Sequence, residues 1–417
     1  MNSGSRGAVF GIAFVQMLIT VLTLGVGRFW MITRLRQFHW SAFSIDDDPF
    51  EYTGKAVELL IGFLIALVIL AAYLMVVNLS LAFVGFSYFD GNPVALQLSV
   101  LTLIPIGFWA QYRARRYILS RTRWRGIRFG VEPAAWAYMW RALGLSALTL
   151  LTLGLAYPYQ QITLARFTTN RTYFGSLRFE QQGSVGPLFR SWLLVITPLI
   201  IVFGFALAQW AQIAAEVDTV DILDGDGDLA LDFGDAAPVT GGLVIFAILA
   251  ALWAYVLWLR HSIFSFRYLN SNKVLSGATT FDLRLGFWAV VGIYVMGGII
   301  IAILSSIIMT VFSAFLGMIV YASGVDPEQL QKLAEGEFLF ADMSILIALA
   351  VAYLFAIVAI ISLSQAFITL PMMRMIARTT QVYGLEEVAR AQQRARDEQV
   401  EAGGFADALG ADVGGAF

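Results

Sequence analysis

Residues 151–179 read LTLGLAYPYQQITLARFTTNRTYFGSLRF. An apolar run ends at Thr152-Leu153-Gly154, an aromatic follows at Tyr159, and a basic-aromatic step stands at Arg166-Phe167. A polar segment then closes on Phe179. The same order recurs in residues 22–50, which begin LTLGVGRFW: Trp30, Phe38 and Phe50 stand as far from Gly25 as Tyr159, Phe167 and Phe179 stand from Gly154. A third copy starts at Leu101-Thr102-Leu103-Ile104 and carries Trp109, Tyr117 and Phe129 at the same offsets, and a looser fourth holds Arg267, Tyr268 and Phe281. Self-similarity at this scale marks an internal repeat. Its unit is an apolar helix, an interfacial aromatic, a basic-aromatic step and a short polar segment ending in Phe. Equal offsets in repeated units imply equal depth, so Trp30, Phe38, Trp109, Tyr117, Tyr159 and Phe167 are expected as interfacial anchors.

The polar segments mix Thr, Arg and aromatic residues around Gly126 and Gly175, which suits short hairpins with a glycine-bearing turn; an irregular loop is the alternative. Around them the chain is apolar. Hydrophobic residues make up 59% and charged residues 13%, and mean hydropathy is +0.74, far from the balance of a soluble domain. A helix needs roughly 20 apolar residues to cross a bilayer, because every backbone polar group must be paired within the segment. Six runs without Asp, Glu, Lys, Arg or His qualify: 59–88, 94–110, 192–215, 241–259, 287–322 and 343–370. Two further segments, 8–26 and 134–157, are membrane-inserted candidates, the second interrupted by Arg141. The run 287–322 is longer than one span needs, and Gly317 is the expected break. The fold class expected is therefore an all-α polytopic membrane protein of six transmembrane helices plus two inserted segments, with β-hairpin-like cytoplasmic pieces. Its divisions are a first repeat (1–131), a second (132–283), a helix pair (284–373) and a tail (374–417).

Net charge is only −2, but the signs sort by loop. Arg34, Arg36, the cluster from Arg113 to Arg128, Arg166, Arg171, Arg178, Arg260, Arg267, Lys273, Arg374 and Arg378 fall in one set of loops. Asp90, the acidic stretch from Glu216 to Asp235, Asp326, Glu328, Glu335 and Glu337 fall in the other. The positive-inside rule puts the first set in the cytoplasm. Both flanks of 134–157 are basic, so either this segment enters and leaves on one side, turning near Gly144–Ser146, or one Arg-rich hairpin lies outside; the re-entrant form is preferred. The N-terminal residues lack a convincing cleavage site and are expected to be retained.

The phrases LTLGVGRFW, RRYILSRTRWRGIRF and the stretch quoted first resemble the YjgN family of bacterial inner-membrane proteins, defined by a domain of unknown function. The resemblance covers nearly the whole chain and implies a bacterial inner membrane location. It brings no activity to assign to residues.

Candidate chemistry is sparse. Arg36, Arg113, Arg115, Arg116, Arg121, Arg123, Arg125, Arg166 and Arg171, interleaved with aromatics, could contact anionic lipid head groups or converge on an anion pocket. Nucleic acid is the disfavoured third reading, and oligomeric state is open. Asp224, Asp226, Asp228, Asp232 and Asp235 fall at positions 1, 3, 5, 9 and 12 of a calcium loop, but Leu229 takes the sixth place, where Gly is needed. A solvated acidic loop is the simpler account. No Cys is present, and neither a P-loop, a G-x-S-x-G nor an H-E-x-x-H occurs, so no cofactor and no catalysis are expected. His39 and His261 read as interfacial packing. Transport of a small or amphipathic solute or lipid stands slightly ahead of a membrane scaffold. The tail beyond residue 401, small and acidic, is expected to be disordered.

Overall fold

The computed structural model describes residues 5–88, 98–217, 237–322 and 343–394. The segments holding Asp224 to Asp235, most of the acidic loops and the tail beyond residue 394 lie outside the described residues.

In chain order the elements are α1 (Arg6–Leu22), α2 (Arg28–Ala42), β1 (Ser44–Ile45), β2 (Asp48–Tyr52), α3 (Ala56–Tyr88) and α4 (Leu103–Arg121). They continue with β3 (Thr122–Trp124), β4 (Ile127–Val131), α5 (Ala135–Leu151), α6 (Tyr157–Thr169), β5 (Thr172–Phe174) and β6 (Leu177–Gln181). Then come α7 (Gly186–Val217), α8 (Ala237–Ser271), β7 (Lys273–Leu275), β8 (Thr279–Leu283), α9 (Phe287–Ala322), α10 (Met343–Ser364), α11 (Leu370–Thr379) and β9 (Thr380–Tyr383).

The all-α expectation is corrected here: among the described residues nine strands form one antiparallel half-barrel in the order β1 to β9. The hairpins do not stand apart. Phe50 pairs with Trp124, Phe129 with Phe174, Phe179 with Leu275 and Phe281 with Val382, so each hairpin is stitched to the next across the helices between them. Three hairpin turns have positive φ at two successive residues, Asp46 (54°) with Asp47 (64°), Arg125 (49°) with Gly126 (75°) and Ser276 (53°) with Gly277 (77°). That conformation matches strand twist.

Five helices, not six, are long and apolar enough to cross a membrane among the described residues: Ala56–Gly85, Gly186–Ala208, Ile245–Ser271, Phe287–Phe315 and Tyr353–Thr379. Their spanning windows are 6–11% buried except the last, at 39%, so the apolar surface faces outward, as lipid permits and water does not. The run 94–110 fails as a span because its described part is a short turn at Leu98–Val100 followed by α4, which carries Arg113, Arg115, Arg116 and Arg121 down to the sheet. The Tyr73 hydroxyl donates to Thr102 O at 3.3 Å, fixing that turn halfway along α3. Residues 287–322 are one continuous helix, about 54 Å at 1.5 Å per residue; Gly317 does not break it.

The segment 134–157 does not turn back within itself: α5 runs outward through it as one helix and α6 makes the return, so that β4 and β5, which flank the pair, are neighbours in the sheet. The turn between the two helices is at residues 152–156 and not at Gly144–Ser146, which lie inside α5. The conformation matches that of residues 23–27. Leu24 and Gly25 have φ 49° and 97°, Leu153 and Gly154 have 50° and 89°, and Gly25 N and Gly154 N each donate to a Thr carbonyl five residues back at 2.7 Å. A left-handed residue of this kind favours Gly. In both turns the Thr hydroxyl donates to the helix it ends, Thr23 to Ile19 O at 2.6 Å and Thr152 to Leu148 O at 2.8 Å. It also accepts from the backbone that starts the next helix, Gly27 N at 2.7 Å and Ala156 N at 3.1 Å. The tips present exposed Leu22, Leu24, Leu151 and Leu153.

Candidate functional site

Side chains alternate along a strand, and here the alternation sorts the hairpins into two faces. Phe50, Trp124, Phe129, Phe174, Phe179, Leu275, Phe281 and Val382 share the inner face with Lys273. Glu51, Arg123, Arg128, Arg178, Glu180 and Asp282 fall at the intervening positions. The inner rings form a ladder across strands: Phe50–Trp124 6.3 Å, Trp124–Phe174 5.8 Å, Phe129–Phe174 4.7 Å, Phe129–Phe179 6.4 Å and Phe179–Phe281 6.1 Å between centroids.

Under this ladder lies a cavity of about 450 Å³, roofed by the sheet-proximal ends of α4, α8 and α11 through Ile118, Leu119, Phe266 and Ile376. That volume is within the roughly 300–1,000 Å³ of small-molecule sites, which are mostly apolar with a few placed polar groups. The polar groups here are Arg115, Asn270, Lys273 and several threonines, with no carboxylate among the described lining residues. Residues beyond β9 strap across the inner face: Leu385 and Val388 line the cavity, Gln392 N donates to Ser176 Oγ at 3.1 Å and Gln393 Oε1 accepts from Arg128 N at 2.9 Å.

Lys273 departs from a local rule. Thr122, Thr172 and Thr380 open β3, β5 and β9, and each hydroxyl folds back onto the carbonyl four residues earlier at 2.9, 2.9 and 2.7 Å. At the start of β7 the residue is Lys273, whose Nζ donates to Asn270 Oδ1 at 2.7 Å. Enclosure by apolar groups pushes its pKa down to about 7, and the positive charge of Arg115 adds to that fall.

Of the arginines singled out from sequence, Arg115 alone lines the cavity. Three others tie a helix to the end of its own hairpin: Arg36 to the Tyr52 hydroxyl at 3.3 Å, Arg116 to Val131 O at 3.1 Å and Arg166 to Gly183 O at 2.5 Å. Arg121 pairs with Glu58 at 2.9 Å, and Arg125 with Asp46 at 2.8 Å and with Asp48. Arg113 covers the Trp109 ring at 4.9 Å and Arg171 the Phe167 ring at 3.8 Å. Arg123 faces Glu51 and Arg128 across the outer sheet surface. The cluster thus disperses over helix, turn and both sheet faces.

The expected anchors divide likewise. Trp30 and Tyr159 are exposed, whereas Tyr117 and Phe167 are buried in the helix bases, Tyr117 donating to Glu58 Oε2 at 3.1 Å. Trp109 packs on Trp136 at 5.9 Å and Phe38 on His39 at 5.8 Å.

Long outward-apolar helices rooted in a single half-barrel whose inner face holds a cavity define a multi-pass membrane protein. The chain belongs to the family described as "Bacterial protein of unknown function (DUF898)", which it matches over residues 2–304. It is 22% identical over 241 residues to a Salmonella typhimurium protein named "Inner membrane protein YjgN", covering 49% of this chain and 58% of that protein. The chain therefore spans less than two thirds of the curated relative it matches. No solved structure matches it.

Proposed function

We propose that this chain is a bacterial inner-membrane protein that moves a small amphipathic molecule or lipid between the bilayer and the cup formed by the half-barrel. The observation that carries this reading is the cavity of about 450 Å³ placed where the membrane helices meet the aromatic ladder. An amphiphile leaving the bilayer would exchange lipid contact for aromatic contact at little cost, and its polar end would meet Arg115, Asn270 and Lys273. The relative's name supports the inner membrane. The gathering of the basic hairpins into one sheet supports a cytoplasmic cup, by the positive-inside rule. The recurring turn and hairpin further support a chain grown by internal repetition. The reading is non-enzymatic: the cavity is lined by groups suited to holding a ligand.

The test is flux of a labelled single-chain amphiphile across proteoliposomes. Protein-dependent movement is expected, at least severalfold above empty liposomes. Binding without movement would overturn transport in favour of a lipid-holding scaffold.

A further inference from the structure

We propose that Arg190 and Arg260 form a binding site for the phosphate of an anionic phospholipid, set in the groove between α7 and α8. Both helices are long and apolar enough to span the membrane, and a charged side chain on such a helix is costly unless it reaches head groups or a counter-charge. The two arginines line one groove of about 340 Å³ with Pro187, Ser191, Leu194 and Phe264, and no acidic side chain lines it among the described residues. The groove shares no lining residue with the cavity under the ladder.

The repeat shows that the fold itself asks for neither arginine. Counted from the end of the strand before it, Arg190 stands where Ile61, Trp140 and Gly292 stand in α3, α5 and α9. Ile61 and Trp140 are exposed, as side chains that face lipid are. The register is secure, because Leu59, Tyr138, Leu188 and Val290, at one shared offset from the same strands, are all buried. Counted back from the start of the strand that follows, Arg260 stands where Trp109, Tyr159 and Phe367 stand. An interfacial aromatic position, and with it that depth, has passed to a guanidinium. Tyr255 and Trp258, exposed and stacked at 5.8 Å just before Arg260, keep the aromatic level on α8. Two departures from the repeat, on separate helices, thus meet in one groove at the level of head groups. A guanidinium binds phosphate oxygens through paired N–H donors, Ser191 adds a hydroxyl, and exposed Leu194 continues the groove into the region of the acyl chains. Two positive charges on one phosphate leave a surplus that favours a head group of net negative charge over a zwitterionic one.

The experiment measures lipid retention by the full chain in neutral detergent with native mass spectrometry, using phosphatidylglycerol and phosphatidylcholine of the same chains, and inorganic phosphate as competitor. The wild-type protein should hold phosphatidylglycerol about tenfold more tightly than phosphatidylcholine, as two basic residues beside head groups allow, and millimolar phosphate should not displace it. Arg190→Ile with Arg260→Tyr, which restores residues of the repeat, should abolish that preference and leave phosphatidylcholine retention unchanged. Removing as much charge elsewhere, by Arg28→Gln with Arg34→Gln, both exposed on α2, should leave the preference intact. No preference in the wild type, a preference that survives the α7–α8 double variant, or equal losses from the two double variants overturns the site. Displacement by inorganic phosphate would assign the groove to the free anion and overturn the lipid.

Discussion

The hairpins α1–α2 and α5–α6 make the same turn and hold their helices together by different means. In the first, α2 starts so close to α1 that a Cβ on Gly27 would lie 2.7 Å from Thr20 N and 2.9 Å from the Ile19 carbonyl carbon. In the second, Ala156 takes the matching place, and the two helices are held by Gln160, which donates to Ser146 Oγ and accepts from Thr149 Oγ1, both at 2.8 Å. Trp192 on α7 adds a clamp from outside, its indole N–H reaching Gly154 O at 2.8 Å. The turn is thus written in four local residues, while the helix spacing is solved once by backbone approach and once by side-chain hydrogen bonds.

The largest effect should come from Gly27→Ala. The clash is with backbone that cannot rotate away, so a loss of about 3 kcal/mol is expected, the upper end of overpacking costs. Thermal unfolding in detergent measures it, and Ala156→Gly should cost no more than about 1 kcal/mol by the same assay. Comparable losses at both sites would mean the hairpins are spaced alike after all. Gln160→Leu should come next, at about 2 kcal/mol for two hydrogen bonds and their stranded partners. Removing the Thr hydroxyl tests the shared part of the design: Thr23→Val and Thr152→Val should each cost about 1 kcal/mol, and a clear difference between them would break the claim of a common turn.

A pH effect separates hairpins from cup. Because the folded-state pKa of Lys273 is depressed to about 7 from 10.5, the unfolded chain binds the extra proton between those values. Stability should therefore rise with pH across that window. Arg115 is the charged group that lines the cavity with it, and it stays charged throughout. The rise should persist in Gly27→Ala and Gln160→Leu and vanish in Lys273→Thr. A hairpin variant that abolished it would show that hairpin and cup act as one unit.

Five of the six apolar runs coincide with spanning helices, and the hairpin-turn glycines Gly126 and Gly175 can be read from the residues, because hydropathy and turn chemistry are local properties. The turn at residues 152–156 is not legible, since its left-handed Leu153 carries no such mark. Nor is the sheet. Its strands are two to five residues long, and β2 reaches β3 only across α3 and α4, so no short window contains the pairing. The run 94–110 misled because apolarity was judged up to Ala110 while the same helix continues into Arg113, Arg115 and Arg116. The dispersal of the arginines is hidden from the sequence for a related reason. Alternation within each strand sets Arg123 against Trp124 and Arg128 against Phe129, and the two-residue turn at Arg125–Gly126 brings Arg123 and Arg128 to one face; a single period run through the turn would have put them on opposite faces. Lys273 was legible as a lysine where sister segments have threonine, once those segments are aligned on their strands.

Strand order that equals chain order has a consequence for biogenesis. As the polypeptide leaves the ribosome, each new strand finds its partner in the one made just before; β2, β4, β6 and β8 do so through a hairpin turn, but β3, β5, β7 and β9 can do so only after the intervening helices have returned the chain to the same side. A helix left in the wrong orientation would deliver its strand across the bilayer, and pairing would stop there with a bare edge. The half-barrel thus acts as a running check on membrane topology, completed only when β9, the last strand among the described residues, closes on β8.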